Sequence, residues 1–136
     1  MSTASGRGRR RVQRASTARL KYLRSSAQKT RLVIDQIRGA RVDIARSLLR
    51  ESKKRVARDV LKLLTSAVAN TESASDSGAM IDPEDLHVVR AFVDEGPVMK
   101  RIRAAPMGRA YRYYHRLAHI VVIVDDGQSA EANGEE

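Results

Sequence analysis

Between residues 97 and 119 the chain carries Lys100, Arg101, Arg103, Arg109, Arg112 and Arg116 without one acidic residue, and this stretch lies between two β-rich runs, 86–93 and 117–124. Cations at that density do not pack into an apolar interior. The two strands are therefore expected to continue past the body as an antiparallel ribbon, an extended hairpin over about residues 94–117. About 12 residues each way, at roughly 3.3 Å per residue, reach about 40 Å. That exceeds the radius of a body this small. An isolated two-stranded ribbon is marginal in water, and this one has few large apolar residues beyond Val98, Met99, Ile102 and Met107. An external polyanion fits the need, with phosphates for the cations and bases or sugars for Tyr111, Tyr113 and Tyr114. The plainer reading is a surface loop, but loops longer than about 12–15 residues are uncommon in compact domains unless functional.

Charge elsewhere has the same bias. The 136 residues hold 26 Lys or Arg against 16 Asp or Glu, a formal net charge of +10, which points to a polyanionic partner. With 42% hydrophobic residues, one domain with a modest core is expected. Residues 1–24 contain eight cations and no acid. Within 1–17, Val12 is the only large aliphatic residue after the start, so this segment reads as a basic disordered arm, either solubilising or polyanion-binding. An Arg-rich, Ser-rich, acid-free start also resembles an organelle transit peptide, but it shows no apolar helical face. Residues 125–136 hold Asp125, Asp126, Glu131, Glu135 and Glu136 with no cation and read as an acidic disordered tail. The globular domain is expected over 18–124.

Several classes drop out by simple absence. With no Cys there is no disulfide scaffold, thiolate metal site or Cys nucleophile, and nothing implies an oxidising compartment. The longest apolar run, 120–124, is far short of the roughly 20 residues of a membrane-spanning helix. A soluble or RNA-bound protein is expected, not an integral one.

The body reads as α+β. Residues 18–24 alternate loosely and suggest a short strand. Ser25 followed by Gln28 gives a capping-box pattern, and Val33, Ile34 and Ile37 keep helical spacing up to Gly39. A second helix is predicted over about 42–51, with Ile44, Ala45, Leu48 and Leu49 on one side. Ser52 is placed to cap a third, reaching about Asn70, with Val56, Ala57, Val60, Leu61, Leu64 and Val68 in one stripe. Its first turn would then hold Lys53, Lys54 and Arg55, where the helix dipole favours anions. These are either solvated surface cations or phosphate contacts. A loop follows over 71–78, then a single turn opened by Asp82-Pro83. The run 120–124 is expected to be a central strand buried on both faces.

Catalytic constellations are missing. His115 and His119 fall on one side of a strand at four-residue spacing, with no carboxylate between or close before them, and read as packed or RNA-contacting rather than as a metal pair. Asp82, Glu84 and Asp85 are the acidic first turn of a helix. The chain is read as a non-enzyme without metal or cofactor. A β-ribbon DNA-bending architectural protein is the alternative class, since such proteins also use basic arms with a Pro near the tip. They commonly dimerise, and no dimer stripe is left over here.

A more specific signal lies in the order and spacing of short motifs. Asp94-Glu95-Gly96-Pro97, Met99-Lys100-Arg101, Gly108-Arg109-Ala110 and His119-Ile120-Val121-Val122 together resemble the bacterial-type large ribosomal subunit protein twenty-two family. Upstream, Lys29, Arg31, Leu32, Val33, Asp35 and Ile37-Arg38-Gly39 look like that family's first helix, and Ser66-Ala67-Val68-Ala69-Asn70 the end of its third. The resemblance covers about 18–124.

It implies a structural constituent of the large ribosomal subunit, cytoplasmic and monomeric within the ribosome. Its partners would be the large-subunit (23S-type) rRNA, neighbouring large-subunit proteins and the nascent polypeptide. Three helices would pack on a small three-stranded antiparallel sheet, with the long β-hairpin protruding through rRNA to line the polypeptide exit tunnel. The implied tunnel tip comprises Met99, Lys100, Arg101, Ala104, Ala105, Pro106, Met107 and Gly108, the first three matching the family segment where alterations affect macrolide antibiotics. Gly108 suits a tight turn on its own account, since it tolerates positive φ. The expected RNA contacts are Lys100, Arg101, Arg103, Arg109, Arg112 and Arg116 on the hairpin and Lys29, Arg31, Lys53 and Lys54 on the body. The sequence departs from the family at the tip, where 104–108 lacks an Arg and shifts the Pro, and at 115–118, where two hydroxyls are lost.

Overall fold

The computed structural model describes residues 15–75 and 82–126. Residues 1–14 of the basic arm, 127–136 of the acidic tail and 76–81, which take in the second part of the loop expected over 71–78, lie outside them. Within the described residues three helices and three strands run in the order β1 (Ser16–Leu23), α1 (Ala27–Ile37), α2 (Val42–Glu51), α3 (Val56–Ser75), β2 (His87–Ala104) and β3 (Ala110–Asp125). The sheet is antiparallel with β3 in the middle, in the order β1-β3-β2.

Helix α1 starts one residue later than the capping pattern predicts. Ser26, not Ser25, is the N-cap, its hydroxyl accepting from the Lys29 amide at 3.4 Å. At the other end Gly39 takes φ +77°, and its N–H donates to the Val88 carbonyl at 2.9 Å, so the helix stop is also an attachment to the sheet. Helix α2 covers the expected residues. Ser52 does not cap α3; its backbone N–H closes α2 on the Leu48 carbonyl and its hydroxyl accepts from the Lys54 amide. Lys53, Lys54 and Arg55 therefore sit in the link before α3 rather than inside its first turn. Helix α3 also runs five residues past Asn70, because Thr71 is buried against β1 and its hydroxyl bonds both back to the Ala67 carbonyl and to Ser16. The Asp82 carboxylate caps the single turn Pro83–Asp85 as predicted.

The core is one layer of helix on one face of the sheet. Val33, Ile34 and Ile37 of α1, Val42, Ala45 and Leu49 of α2, and Val60, Leu64, Ala67 and Val68 of α3 close over Val88, Ile120, Val122 and Val124. In β3 the alternation is decisive: Ile120, Val122 and Val124 are fully buried, while Val121 and Ile123 on the opposite face are only half-buried. The expectation of burial on both faces is corrected, because the described helices cover one side only.

Helix α1 is fastened to β2 by two arginines. Arg38 donates from Nε and Nη2 to the Ala91 carbonyl at 3.0 and 2.9 Å, and Arg31 from Nη2 to the Val93 carbonyl at 3.1 Å. Seven residues apart, two helical turns, they share one side of α1.

Candidate nucleic-acid interface

Past the body, β2 and β3 go on without it. The last buried side chain of β2 is Val93 and the first of β3 is Leu117; none from 94 to 116 is buried. The departure is marked by a register shift, Glu95 pairing with Ala118 but Val98 with Arg116, which puts one extra residue on β2 at Gly96-Pro97. A bulge here increases local twist and turns the ribbon away from the sheet. Beyond it the ladder is regular from Val98↔Arg116 to Ala104↔Ala110.

Alternation along this ladder divides the side chains between two faces. Val98, Lys100, Ile102, Arg112, Tyr114 and Arg116 share one; Met99, Arg101, Arg103, Tyr111, Tyr113 and His115 share the other. Cations thus ring the ribbon. Each face also carries at least one tyrosine, so phosphates and bases could be met from either side. On the second face the groups touch in series, the Arg103 guanidinium lying 5.1 Å from the Tyr113 ring centre and Tyr113 meeting His115 edge-on at 5.2 Å. Ile102 is 73% exposed, an apolar surface no part of the body covers.

The turn spans Ala105 to Arg109, the Ala105 N–H donating to the Arg109 carbonyl at 2.8 Å. Gly108 has the positive φ expected, +70°, and Met107 joins it at +61° with its side chain 94% exposed. An unbranched residue tolerates that conformation at some cost. Arg109 leaves the turn directly into β3.

On the body the candidate cations separate. Lys29 and Lys54 meet at one cleft with Arg55, weighed from the sequence as a phosphate contact alongside Lys53 and Lys54, and with Arg24, which the sequence did not single out, over an apolar floor of Leu23, Leu32 and Val56. Ser25 and Asp59 complete its lining. The available signals were the adjacency of Arg24 to a helix cap and the run 53–55; convergence of two such distant segments has no sequence signature. Lys53 is exposed but does not line this cleft. Arg31 already spends Nη2 on β2, so the structure gives it a role in the fold.

Neither histidine has a metal-like setting. His119 Nδ1 accepts the Tyr22 N–H at 3.0 Å, and the two rings meet edge-on at 5.0 Å. This contact holds Tyr22 at φ +59°, where β1 slips register between Leu20 and Leu23. Among the described residues no group of three or more His, Cys, Asp or Glu is placed to hold a metal ion, and no helix is long and apolar enough to cross a membrane. One carboxyl is perturbed: burial pushes Asp125 above its ordinary value, reinforced by its neighbour Asp126.

Comparison with known proteins places these elements in a family. Residues 18–125 match the family described as Ribosomal protein L22p/L17e. The Large ribosomal subunit protein uL22 of Solibacter usitatus (strain Ellin6076) is 48% identical over 112 residues, which span 82% of this chain and 96% of that protein. The Large ribosomal subunit protein uL22 of Koribacter versatilis (strain Ellin345) is 45% identical over 107 residues, 78% of this chain and 64% of that one. A match that takes in the helices, the sheet and the whole cationic ribbon means that the chain belongs to the ribosomal protein L22p/L17e family, a family of structural proteins rather than enzymes.

Proposed function

We propose that this protein is a structural constituent of the large ribosomal subunit in the cytoplasm, where it binds large-subunit rRNA, supports its folding and assembly, and lines the nascent-chain exit tunnel with its hairpin tip. The observation that carries the reading is the ribbon itself: from 97 to 116 it has six cations, no acid and no buried side chain. Such an element gains almost nothing from its own body. Its stability and position have to come from a partner that supplies negative charge and surfaces for stacking, which folded RNA does. Lys100, Arg101, Arg103, Arg109, Arg112 and Arg116 neutralise phosphates there, and Lys29 and Lys54 do so on the body. Ala104, at the end of β2, and the turn residues Ala105, Pro106, Met107 and Gly108 stand farthest from the body, where a nascent chain would pass, and Met99, Lys100 and Arg101 lie part-way along the ribbon that leads to them. Neighbouring large-subunit proteins complete its surroundings, and the chain acts there as a monomer.

Sedimentation tests this directly. A tagged chain traced through a sucrose gradient should travel with large subunits and intact ribosomes and remain with them in high salt. Because the sequence has no cysteine, Met107→Cys introduces a single thiol, and crosslinking from it should capture nascent chains on translating ribosomes. A protein left at the top of the gradient, or one that follows DNA, would refute the assignment.

A further inference from the structure

The cleft between the end of β1, α1 and the start of α3 combines an exposed apolar floor with a rim of cations. Its floor is aliphatic, with Leu32 left 53% exposed, and its volume of about 450 Å³ is that of a small-ligand pocket. Around the floor stand Arg24, Lys29, Lys54 and Arg55, brought from two distant segments of chain, 24–29 and 54–55. None of these four is held in an ion pair with a described residue, and Asp59 is the one carboxylate in the lining. Converging like charges repel one another, so the arrangement favours an anion at the rim; the exposed leucine favours an apolar surface beneath it.

We infer that this cleft seats a single unstacked nucleotide of RNA, its base against Leu23, Leu32 and Val56 and its flanking phosphates on Lys29, Lys54, Arg24 and Arg55. The inference rests on the RNA-binding reading given above and extends it to a defined site on the body. A bare phosphate would leave the floor uncovered. An apolar protein segment would leave the four cations uncompensated. A paired base stays stacked within its helix and does not reach the floor, so the ligand is a bulged or single-stranded residue, which is where proteins contact the faces of RNA bases. The Ser25 hydroxyl and the Asp59 carboxylate supply a donor and acceptors for a base edge or ribose hydroxyl, and Asp59 turns phosphates away from its own side of the cleft.

The full-length protein can be tested with a short unpaired RNA carrying one 2-aminopurine, beside a duplex of the same sequence. Unpaired RNA should shift the methyl resonances of Leu23, Leu32 and Val56 and raise 2-aminopurine fluorescence as the base leaves its neighbours; the duplex should do neither. Leu32→Asp, at a position already half in solvent, should abolish the fluorescence rise and the remaining methyl shifts while RNA is still bound through the hairpin. Binding of unpaired RNA with unmoved methyls would overturn the seat and leave the RNA-binding reading standing. Equal shifts with duplex would reduce the cleft to a phosphate contact and also overturn it. Methyl shifts from a leucine-bearing acidic peptide, with none from RNA, would assign the cleft to a neighbouring protein. Absence of RNA binding altogether would remove both readings.

Discussion

Gly96 lies directly against Leu117: a Cβ added to Gly96 would stand 3.1 Å from the carbonyl carbon, the carbonyl oxygen and the Cβ of Leu117. Two of those three atoms are backbone of the central strand and cannot rotate away. The contact falls at the extra residue where the ribbon leaves the sheet, so glycine here sets how closely the two strands pass.

Gly96→Ala should therefore destabilise the fold by about 1–3 kcal/mol, the usual penalty for overfilling a packed site. Urea denaturation would show a lower midpoint with an unchanged slope. Gly108→Ala, at a position with open space around it but φ +70°, should instead disturb only the turn.

Arg38→Ala removes two hydrogen bonds to Ala91 and an ion pair with Asp35 at 3.0 Å. The side chain is partly exposed, so the expected loss is about 1 kcal/mol. Arg38→Lys should recover less than half of it, since an ammonium cannot reproduce the guanidinium fork. Thermal unfolding of the three chains side by side would decide.

Charge and stacking on the hairpin should separate in salt titrations. Arg112→Ala should reduce the slope of log K against log salt for an rRNA fragment by about one. Tyr114→Ala, on the same face, should weaken binding with the slope unchanged, because stacking releases no counterions.

Asp125 gives a pH dependence with a definite sign. Burial raises its carboxyl above the unfolded value, so the folded state binds the proton more tightly. The contribution to stability is greatest at low pH and falls as pH rises from the ordinary carboxylate range through the raised folded value. Asp125→Asn keeps an acceptor for the Asp126 N–H, which now bonds Asp125 Oδ1 at 2.7 Å, and removes the charge. The variant should be the more stable at neutral pH and show a flatter profile in chemical denaturation across that range.

Much of the fold was legible because its signals are local. Helix α2 and the stop at Gly39 follow from apolar spacing and from the conformational freedom of one glycine. The errors arose where a tertiary partner decides. Ser52 looks like a helix cap but closes the preceding helix, and α3 outlasts Asn70 because Ser16, 55 residues away from Thr71, anchors its last turn. At the candidate interface the cations themselves were visible as an acid-free run. Their distribution over two faces was not, because it depends on the register set by the bulge at Gly96-Pro97. The cleft was invisible for a further reason: Arg24, Lys29 and Lys54 become neighbours only after the chain has folded.

The clasp of α1 on β2 bears on how the protein survives before assembly. β2 is an outer strand of the sheet, and an uncovered strand edge is a template for edge-to-edge aggregation. Here the carbonyls of Val88, Ala91 and Val93 are already taken, by the Gly39 N–H, by Arg38 and by Arg31. A newly made copy thus presents an occupied border along the body part of β2, and where that edge runs on past Val93 it belongs to the cationic ribbon, where like charge keeps other copies at a distance.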